Sequence, residues 1–246
     1  MTTYALRLGG LGNQLFQLAA AIGLDPAGDG RLIRDRDQQH AFDVEDLAPG
    51  LFAACADDEV SAVLQLGADD RFQQPLRDLP AAFAPAPGWD SHPVLLSGYF
   101  QHPDWYRVAL AKVVDGLIAA APAGLSDRLG GRPAVYVRGG DYIRLGRELS
   151  LQFYVRAAKA MTLDDAVVVS ADAERGAVVA TVLTVAGHRT SQPLRRSTAL
   201  DDFWALATAP SVIMANSTFA WWAVQVGDEL YRRAGRSRVV AAPKEW

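Results

Sequence analysis

Cysteine and histidine are scarce in this chain of 246 residues, which has one cysteine (Cys55) and four histidines. A single cysteine excludes an internal disulfide framework and a cysteine-rich zinc site. The histidines, at positions 40, 92, 102 and 188, show no metal-ligand spacing. The sequence therefore predicts no metal site, and the lack of disulfides fits a reducing, cytoplasmic location.

Long apolar runs and an excess of positive charge are also missing. No apolar run reaches the ~18 residues that a transmembrane helix needs. The amino terminus (Met1–Tyr4) lacks the basic region of a signal peptide. Basic residues number 24 against 28 acidic ones, for a net charge of -4. We therefore predict no integral membrane segment, which leaves peripheral contact open, and no general nucleic-acid binding, which needs a basic face.

The order of apolar segments indicates an α/β protein. Half of the residues are hydrophobic and 21% are charged, as in ordinary globular proteins. Purely apolar strands such as Ala166–Val169 alternate with helical patterns, which is typical of a parallel sheet buried on both faces. We predict two Rossmann-like halves facing across a cleft, residues 1–120 and 121–246, joined by an Ala- and Pro-rich linker.

The predicted elements are clearer in the second half than in the first. Between Asp25 and Pro93 the pattern is loose, and only short strands and helices are expected there. Asp104 is a candidate cap for a helix that reaches Ile118. Strands are predicted at 4–8, 94–100, 134–137, 166–169, 212–215 and 239–243, and helices at 14–24, 104–118, 150–161, 201–209 and 218–226.

A glycine-rich turn, Gly9-Gly10-Leu11-Gly12-Asn13, follows the first predicted strand. Glycines let a backbone approach a ligand closely, and the helix that follows offers its positive N-terminus to an anion. The same turn can be a tight strand-to-helix connection without function. Its spacing differs from G-x-G-x-x-G, which argues against a dinucleotide-dependent oxidoreductase.

A second turn, Arg138-Gly139-Gly140-Asp141, follows the strand at 134–137. A guanidinium there can bind a phosphate with two hydrogen bonds. Asp141 can hold Arg138 in position or accept a proton from a substrate hydroxyl. The alternative is a loop in which these two side chains simply pair with each other.

A third turn, Asn216-Ser217-Thr218, precedes the helix at 218–226. Any of the three can be the N-cap, and the first-turn N–H groups and hydroxyls can bind phosphate oxygens. Asp172 follows another apolar strand and can accept hydrogen bonds from a nucleobase or ribose, or be an ordinary loop acid. Three such turns at the carboxyl ends of strands suggest a diphosphate ligand.

Taken in order, these segments resemble the α-1,2-fucosyltransferases of glycosyltransferase family 11. The family's opening Gly-Gly-Leu-Gly-Asn-Gln-Leu-Phe-Gln is matched by Gly9–Gln17, and its Asn-Ser-Ser-Phe-Ser-Trp-Trp segment by Asn216–Trp222. In the central motif, His-x-Arg-Arg-Gly-Asp-Tyr, this chain has Tyr136 for the histidine and Gly139 for the second arginine. The matched segments are 9–17, 98–101, 105–106, 136–142, 149–154, 169–172, 216–222 and 242–246.

The resemblance implies a GT-B-like enzyme that is inverting and independent of metal ions and has no cofactor beyond its donor substrate. It would move a fucosyl group from GDP-fucose to a sugar hydroxyl, in α-1,2 linkage, on a glycan or a glycosylated small molecule. The donor would lie on the C-terminal half and the acceptor on the N-terminal half. The departures at Tyr136 and Gly139 leave two alternatives, which are another GDP-hexose as donor and a catalytically degenerate binding module.

The resemblance also assigns roles to residues. Arg138 would bind the diphosphate and stabilise the charge on the leaving GDP, while Asp141 would orient Arg138 or act as the base, with Glu148 as a second candidate base. Asp172 would lie near the guanosine, and Tyr136 would stack on the nucleotide or hydrogen-bond to it. The residues predicted to bind the donor are Gly10, Gly12, Asn13, Tyr136, Arg138, Asp172, Asn216, Ser217 and Thr218.

Overall fold

The chain divides into two compact units, Met1–Ala121 and Pro122–Trp246. The computed structural model describes residues 3–24, 31–33, 44–48, 62–65, 94–125, 128–191 and 198–244. Cys55, two of the four histidines and most of the loosely patterned region at 25–93 lie outside the described residues.

The first unit is built on four parallel strands in the order β2-β1-β4-β3. In the centre of this sheet, Tyr4 pairs with Arg31 on one side and with Leu95 on the other. The elements of the unit are β1 (Thr3–Leu6), α1 (Leu11–Leu24), β2 (Arg31–Ile33), α2 (Val44–Leu47), β3 (Ala62–Gln65), β4 (Val94–Ser97), α3 (Pro103–Tyr106) and α4 (Leu110–Ala119).

The second unit has five parallel strands in the order β7-β6-β5-β8-β9. The chain runs outward from the central β5 to β6 and β7, then returns to the other side of β5 for β8 and β9. The elements are β5 (Ala134–Tyr136), α5 (Asp141–Arg144), α6 (Leu151–Ala160), β6 (Ala166–Val169), α7 (Ala173–Val185), β7 (Thr190–Ser191), α8 (Ala199–Thr208), β8 (Ser211–Ile213), α9 (Thr218–Arg233) and β9 (Val239–Ala241).

Burial explains why the strands of the second unit are so apolar. All four residues of β6 are buried, and β-branched valines suit a strand covered on both faces. On one face, Tyr154 of α6 and Leu183 of α7 pack with Val168 in a single core cluster. In the described part of the chain, no helix combines the length and apolar character needed to cross a bilayer.

The structure confirms the predicted parallel α/β architecture and most elements of the second half. The helix predicted at 150–161 is α6, and Ser150 caps it by accepting a hydrogen bond from Phe153 N at 3.3 Å. The single helix predicted at 104–118 is wrong. Two helices, α3 and α4, occur there instead. The N-cap of α3 is His102, whose Nδ1 accepts a hydrogen bond from Asp104 N. Pro103 follows at the first helical position, where proline is favoured.

Helix α7 was missed by the sequence analysis. Its sequence, AERGAVVATVLTV, is rich in valine and threonine, which have low helix propensity. Its apolar residues also form no narrow stripe, because buried and exposed positions both carry valine. The sequence therefore predicts no element between the strand at 166–169 and the helix at 201–209.

Arg238 joins α8 and α9 through main-chain carbonyls. Its side chain is 1% exposed, and its guanidinium donates to Leu206 O at 2.9 Å and to Val224 O at 2.7 Å. Nε donates to Asp228 Oδ1 at 2.7 Å. The last carbonyls of a helix have no donor within the helix, so the Arg238 cation at the end of α8 supplies one. Its positive charge also interacts favourably with the negative end of the α8 dipole. At Gly227 a side chain would collide with Arg238.

Replacing Arg238 with methionine should therefore destabilise the second unit. The substitution keeps much of the buried volume but leaves several carbonyls without donors, so we expect the free energy of unfolding to fall by about 2–4 kcal/mol. Arg189→Met is the matched control, because Arg189 is 75% exposed in its ion pair with Asp164. Chemical denaturation of both variants measures this, and equal stability of the two would contradict the role of Arg238.

Candidate functional site

The carboxyl ends of three central strands bring the predicted residues of the second unit together. Val135 of β5 pairs with Val168 of β6 and with Ile213 of β8. The loops that leave these strands, 137–140, 170–172 and 214–217, therefore start at one edge of the sheet. Strand order reverses at β5, and open α/β sheets bind ligands at the edge where this happens.

The turn after β5 needs its two glycines for different reasons. Gly140 has φ +59°, a conformation that side chains disfavour. Gly139 has no such conformation, but a Cβ there would lie 2.6 Å from Cβ of Asp172 and still closer to its Oδ2. The arginine that the resembling family has at this position therefore cannot fit while Asp172 keeps its place.

Asp172 serves as the N-cap of α7. Its Oδ1 accepts a hydrogen bond from Arg175 N at 2.9 Å, and its Oδ2 accepts one from Gly140 N at 2.9 Å. These two backbone hydrogen bonds, the one from Arg175 first, hold the pKa of Asp172 below its usual value. The carboxylate expected near a guanosine is thus bound by two backbone segments of the protein itself.

Ser170 connects the same two loops and was not predicted as a site residue. Its buried hydroxyl donates to Val137 O at 3.0 Å and accepts from Asp172 N at 3.1 Å. The sequence signal for it was weak, since it is only the first polar residue after an apolar strand.

Arg138 points its guanidinium along its own turn. Nη2 lies 3.3 Å from Oδ1 of Asp141, and the guanidinium carbon lies 5.0 Å from the centre of the Tyr142 ring. Among the described residues, its buried Nε has no hydrogen-bond acceptor. Burial disfavours the cation, but the adjacent Tyr136 and Asp141 outweigh it and raise the pKa of Arg138. The residue is a permanent cation.

The two candidate bases are both in ion pairs. Asp141, whose side chain is 47% exposed, contacts Arg138, and Glu148 lies 2.8 Å from Arg175. Of the two, only Asp141 lies in the turn that carries Arg138. With its Oδ1 3.3 Å from Nη2 of Arg138, the Asp141 carboxylate is placed to orient that guanidinium.

Tyr136, the last residue of β5, is 3% exposed. Its ring stacks on Phe219 of α9 with centroids 5.6 Å apart and planes at 28°. Burial raises the pKa of Tyr136 to about 12, although its interactions with Arg138 and Ser217 lower it. Tyr136 therefore offers no open ring face for stacking on a nucleotide, and its hydroxyl faces the groups that would bind one.

The turn after β8 leads into α9 without a side-chain cap. Ser217 occupies the N-cap position in an extended conformation, but its hydroxyl makes no capping hydrogen bond and interacts with Tyr136 instead. Asn216 Nδ2 donates to Arg147 O at 2.9 Å, and its buried Oδ1 has no donor among the described residues. Helix α9 thus begins at Thr218 with its positive dipole end at this edge of the sheet and without a side-chain cap. Of the two adjacent tryptophans in α9, Trp222 is in the core and Trp221 is partly exposed.

The glycine-rich turn of the first unit is held by amide side chains. Gln17, fully buried, accepts from Leu8 N at 3.0 Å and donates to Gly98 O at 3.1 Å. Asn13 Oδ1 accepts from Gln101 Nε2 at 3.1 Å. The two predicted glycines differ from Gly9, whose φ of +73° and close contact with Asn13 disfavour any side chain, since a Cβ at Gly10 would meet no atom within 4 Å and Gly12 lies within α1.

The comparisons with known proteins give the fold. No protein-family model and no curated protein matches this sequence. The solved structure of POFUT1 in complex with GDP is similar, with 13% identity, a TM-score of 0.50 and coverage of 98% of each chain. NodZ α-1,6-fucosyltransferase co-crystallised with GDP has 16% identity, a TM-score of 0.50 and coverage of 91% of this chain and 92% of that one. The chain has a GT-B-like fold.

The buried hydroxyl of Tyr136 should make stability depend on alkaline pH. Because its pKa is raised from 10.0 to about 12, the unfolded chain loses this proton first as the pH rises. The free energy of unfolding should therefore fall between about pH 10 and pH 12, by up to about 1.4 kcal/mol per pH unit from this residue. Tyr136→Phe keeps the ring and should make the fall shallower. Chemical denaturation of both proteins from pH 9 to 12 measures this. An equal fall in the free energy of unfolding for the wild type and Tyr136→Phe would contradict the prediction.

Proposed function

We propose that this protein is a glycosyltransferase that transfers a fucosyl group from GDP-fucose to a sugar hydroxyl. The observation that carries the proposal is the pairing of a fixed guanidinium with an uncapped helix N-terminus at the switch point of the five-stranded sheet. The fold supports it, because POFUT1 and NodZ share it and both have been crystallised with GDP.

The diphosphate of GDP would bind between the turns after β5 and β8. Val135 pairs with Ile213 in the sheet. Three residues further along the chain from each lie Arg138 and Asn216, so both leave the same edge of the sheet. Arg138 would contact phosphate oxygens with its guanidinium. The N-terminus of α9, with Ser217 and Thr218, would supply N–H and hydroxyl donors to the same group.

The chemistry would consist mainly of stabilising the leaving group. As the sugar hydroxyl attacks the anomeric carbon, the bond to GDP breaks and negative charge develops on the β-phosphate, while the proton of the hydroxyl passes to solvent or to the departing diphosphate. Arg138 and the dipole of α9 are fixed before the reaction, so they would stabilise that charge without reorganising. Attack opposite the leaving group would invert the anomeric centre and give an α-linked product, at the 2-hydroxyl of a galactoside. No metal ion is required in this scheme.

Asp141 would act through Arg138. Its carboxylate contacts Nη2 of Arg138, so it would hold the guanidinium in position for the phosphate. Taking a proton from the acceptor hydroxyl would require it to turn away from this ion pair. The acceptor, a glycan or a glycosylated small molecule, is proposed to be carried by the first unit.

A different GDP-hexose is the second candidate donor. The observation that favours it is the exclusion of any side chain at position 139 by Asp172, which removes one guanidinium from the motif. Position 139 is a glycine where the resembling family has a cation. Such a site would bind a diphosphate with fewer charge-assisted hydrogen bonds and would select its sugar differently.

Arg138→Ala should weaken binding of GDP and GDP-fucose by about 10- to 100-fold, because one or two charge-assisted hydrogen bonds are lost. The affinity of Arg138→Lys should lie between those of the wild type and of Arg138→Ala, since lysine keeps the charge but cannot make two parallel hydrogen bonds to a phosphate. Arg189→Ala is the control, because this arginine precedes β7 at the opposite edge of the sheet. Calorimetric titration of the four proteins measures the affinities.

The titration separates the candidate functions. Preference for GDP-fucose over GDP-mannose supports the fucosyl donor, and the reverse preference supports another GDP-hexose. Absence of binding by the wild type would overturn the transferase proposal.

The reaction product tests the linkage and the stereochemistry. With GDP-fucose and a galactoside acceptor, we expect an α-fucosyl group on the 2-hydroxyl, assigned by NMR from the anomeric coupling and the inter-residue contacts. A chelator should leave the rate unchanged. A product that keeps the anomeric configuration of the donor, or a rate that a chelator abolishes, would contradict the proposed mechanism.

A further inference from the structure

The Asp172 carboxylate is anchored at both of its oxygens. Oδ2 accepts from Gly140 N and Oδ1 from Arg175 N, each at 2.9 Å. Its own carbonyl oxygen lies 2.9 Å from the hydroxyl of Ser170. The side chain is therefore held by the protein, while each oxygen keeps a further lone pair that could accept a hydrogen bond from a ligand.

The glycine turn after β5 therefore holds an internal anion. Successive N–H groups in glycine turns commonly bind phosphates. Here the N–H of Gly140 is bound to Oδ2 of Asp172 instead. A phosphate at this edge would meet the side chain of Arg138 and could not use the N–H of Gly140 while this bond is kept.

Asp172 also limits what the turn can contain. A Cβ on Gly139 would lie 2.6 Å from Cβ and from Cγ of Asp172. Two adjacent glycines leave a turn with more conformational freedom than any other pair of residues. Without a contact that holds one conformation, the ligand would have to order this turn on binding, at a cost in affinity.

We propose that Asp172 is a positioning residue, which fixes the turn that orients Arg138 by holding the N–H of Gly140. The inference rests on the proposed function. The role is separate from the expectation, based on sequence, that Asp172 lies near the guanosine.

Asp172→Ser separates this role from helix capping. A serine hydroxyl can still accept from Arg175 N and cap α7, but one short side chain cannot also hold Gly140. We expect a melting temperature close to that of the wild type, faster hydrogen exchange at the Gly140 amide, and a dissociation constant for GDP raised about tenfold. Asp172→Ala should show the same loss of affinity and also a lower melting temperature.

A second pair of variants tests the contact with Gly139. Gly139→Ala alone should weaken GDP binding, because its methyl group collides with Asp172. Asp172→Gly removes the obstacle and is a tolerated N-cap. In the Asp172→Gly background, Gly139→Ala should therefore reduce affinity by a smaller factor than in the wild type.

The outcomes are distinguishable. GDP affinity of Asp172→Ser equal to that of the wild type would overturn the positioning role and leave the proposed function standing. The positioning role would also be overturned if Gly139→Ala reduced GDP affinity by the same factor in the wild type and in Asp172→Gly. A wild type that binds no GDP would overturn the proposed function and this inference together.

Discussion

The hydrogen bond from Gly140 N to the Asp172 carboxylate links the loops that leave two neighbouring strands of the second sheet. It fixes a turn made of two glycines, and that turn carries Arg138 at one end and Asp141 at the other. The same carboxylate caps α7 through Arg175. This one tertiary contact leaves no room for a side chain at 139. In the proposed positioning role it also fixes the guanidinium on which the donor site depends.

A parallel sheet concentrates such groups because all its strands end at the same edge. In this chain, the edge combines a permanent cation with the positive end of α9, which no serine hydroxyl caps. Tyr136 connects these parts, since its ring stacks on Phe219 and its hydroxyl interacts with Arg138 and Ser217. The arrangement has fewer cations than the resembling family motif. A diphosphate would therefore rely more heavily on Arg138 and on the helix.

Much of this arrangement could be predicted from the sequence, and the remainder depends on tertiary contacts. Apolar strands followed by short polar turns located the edge of the sheet, because the period and composition of buried strands are local properties. The partner of Asp172 was not predictable, since Gly140 lies 32 residues away in the chain. Likewise, nothing local showed that Ser217 interacts with Tyr136 instead of capping α9, or that the Asp104 segment forms two helices.

Hydrogen–deuterium exchange with and without GDP tests the central claim, that this edge of the second sheet binds a nucleoside diphosphate. The account predicts slower exchange on adding GDP in the segments 137–147 and 214–222. Segments 162–165 and 186–189, which precede β6 and β7 at the opposite edge, should exchange at an unchanged rate. Protection confined to other segments, or no protection at saturating GDP, would contradict it.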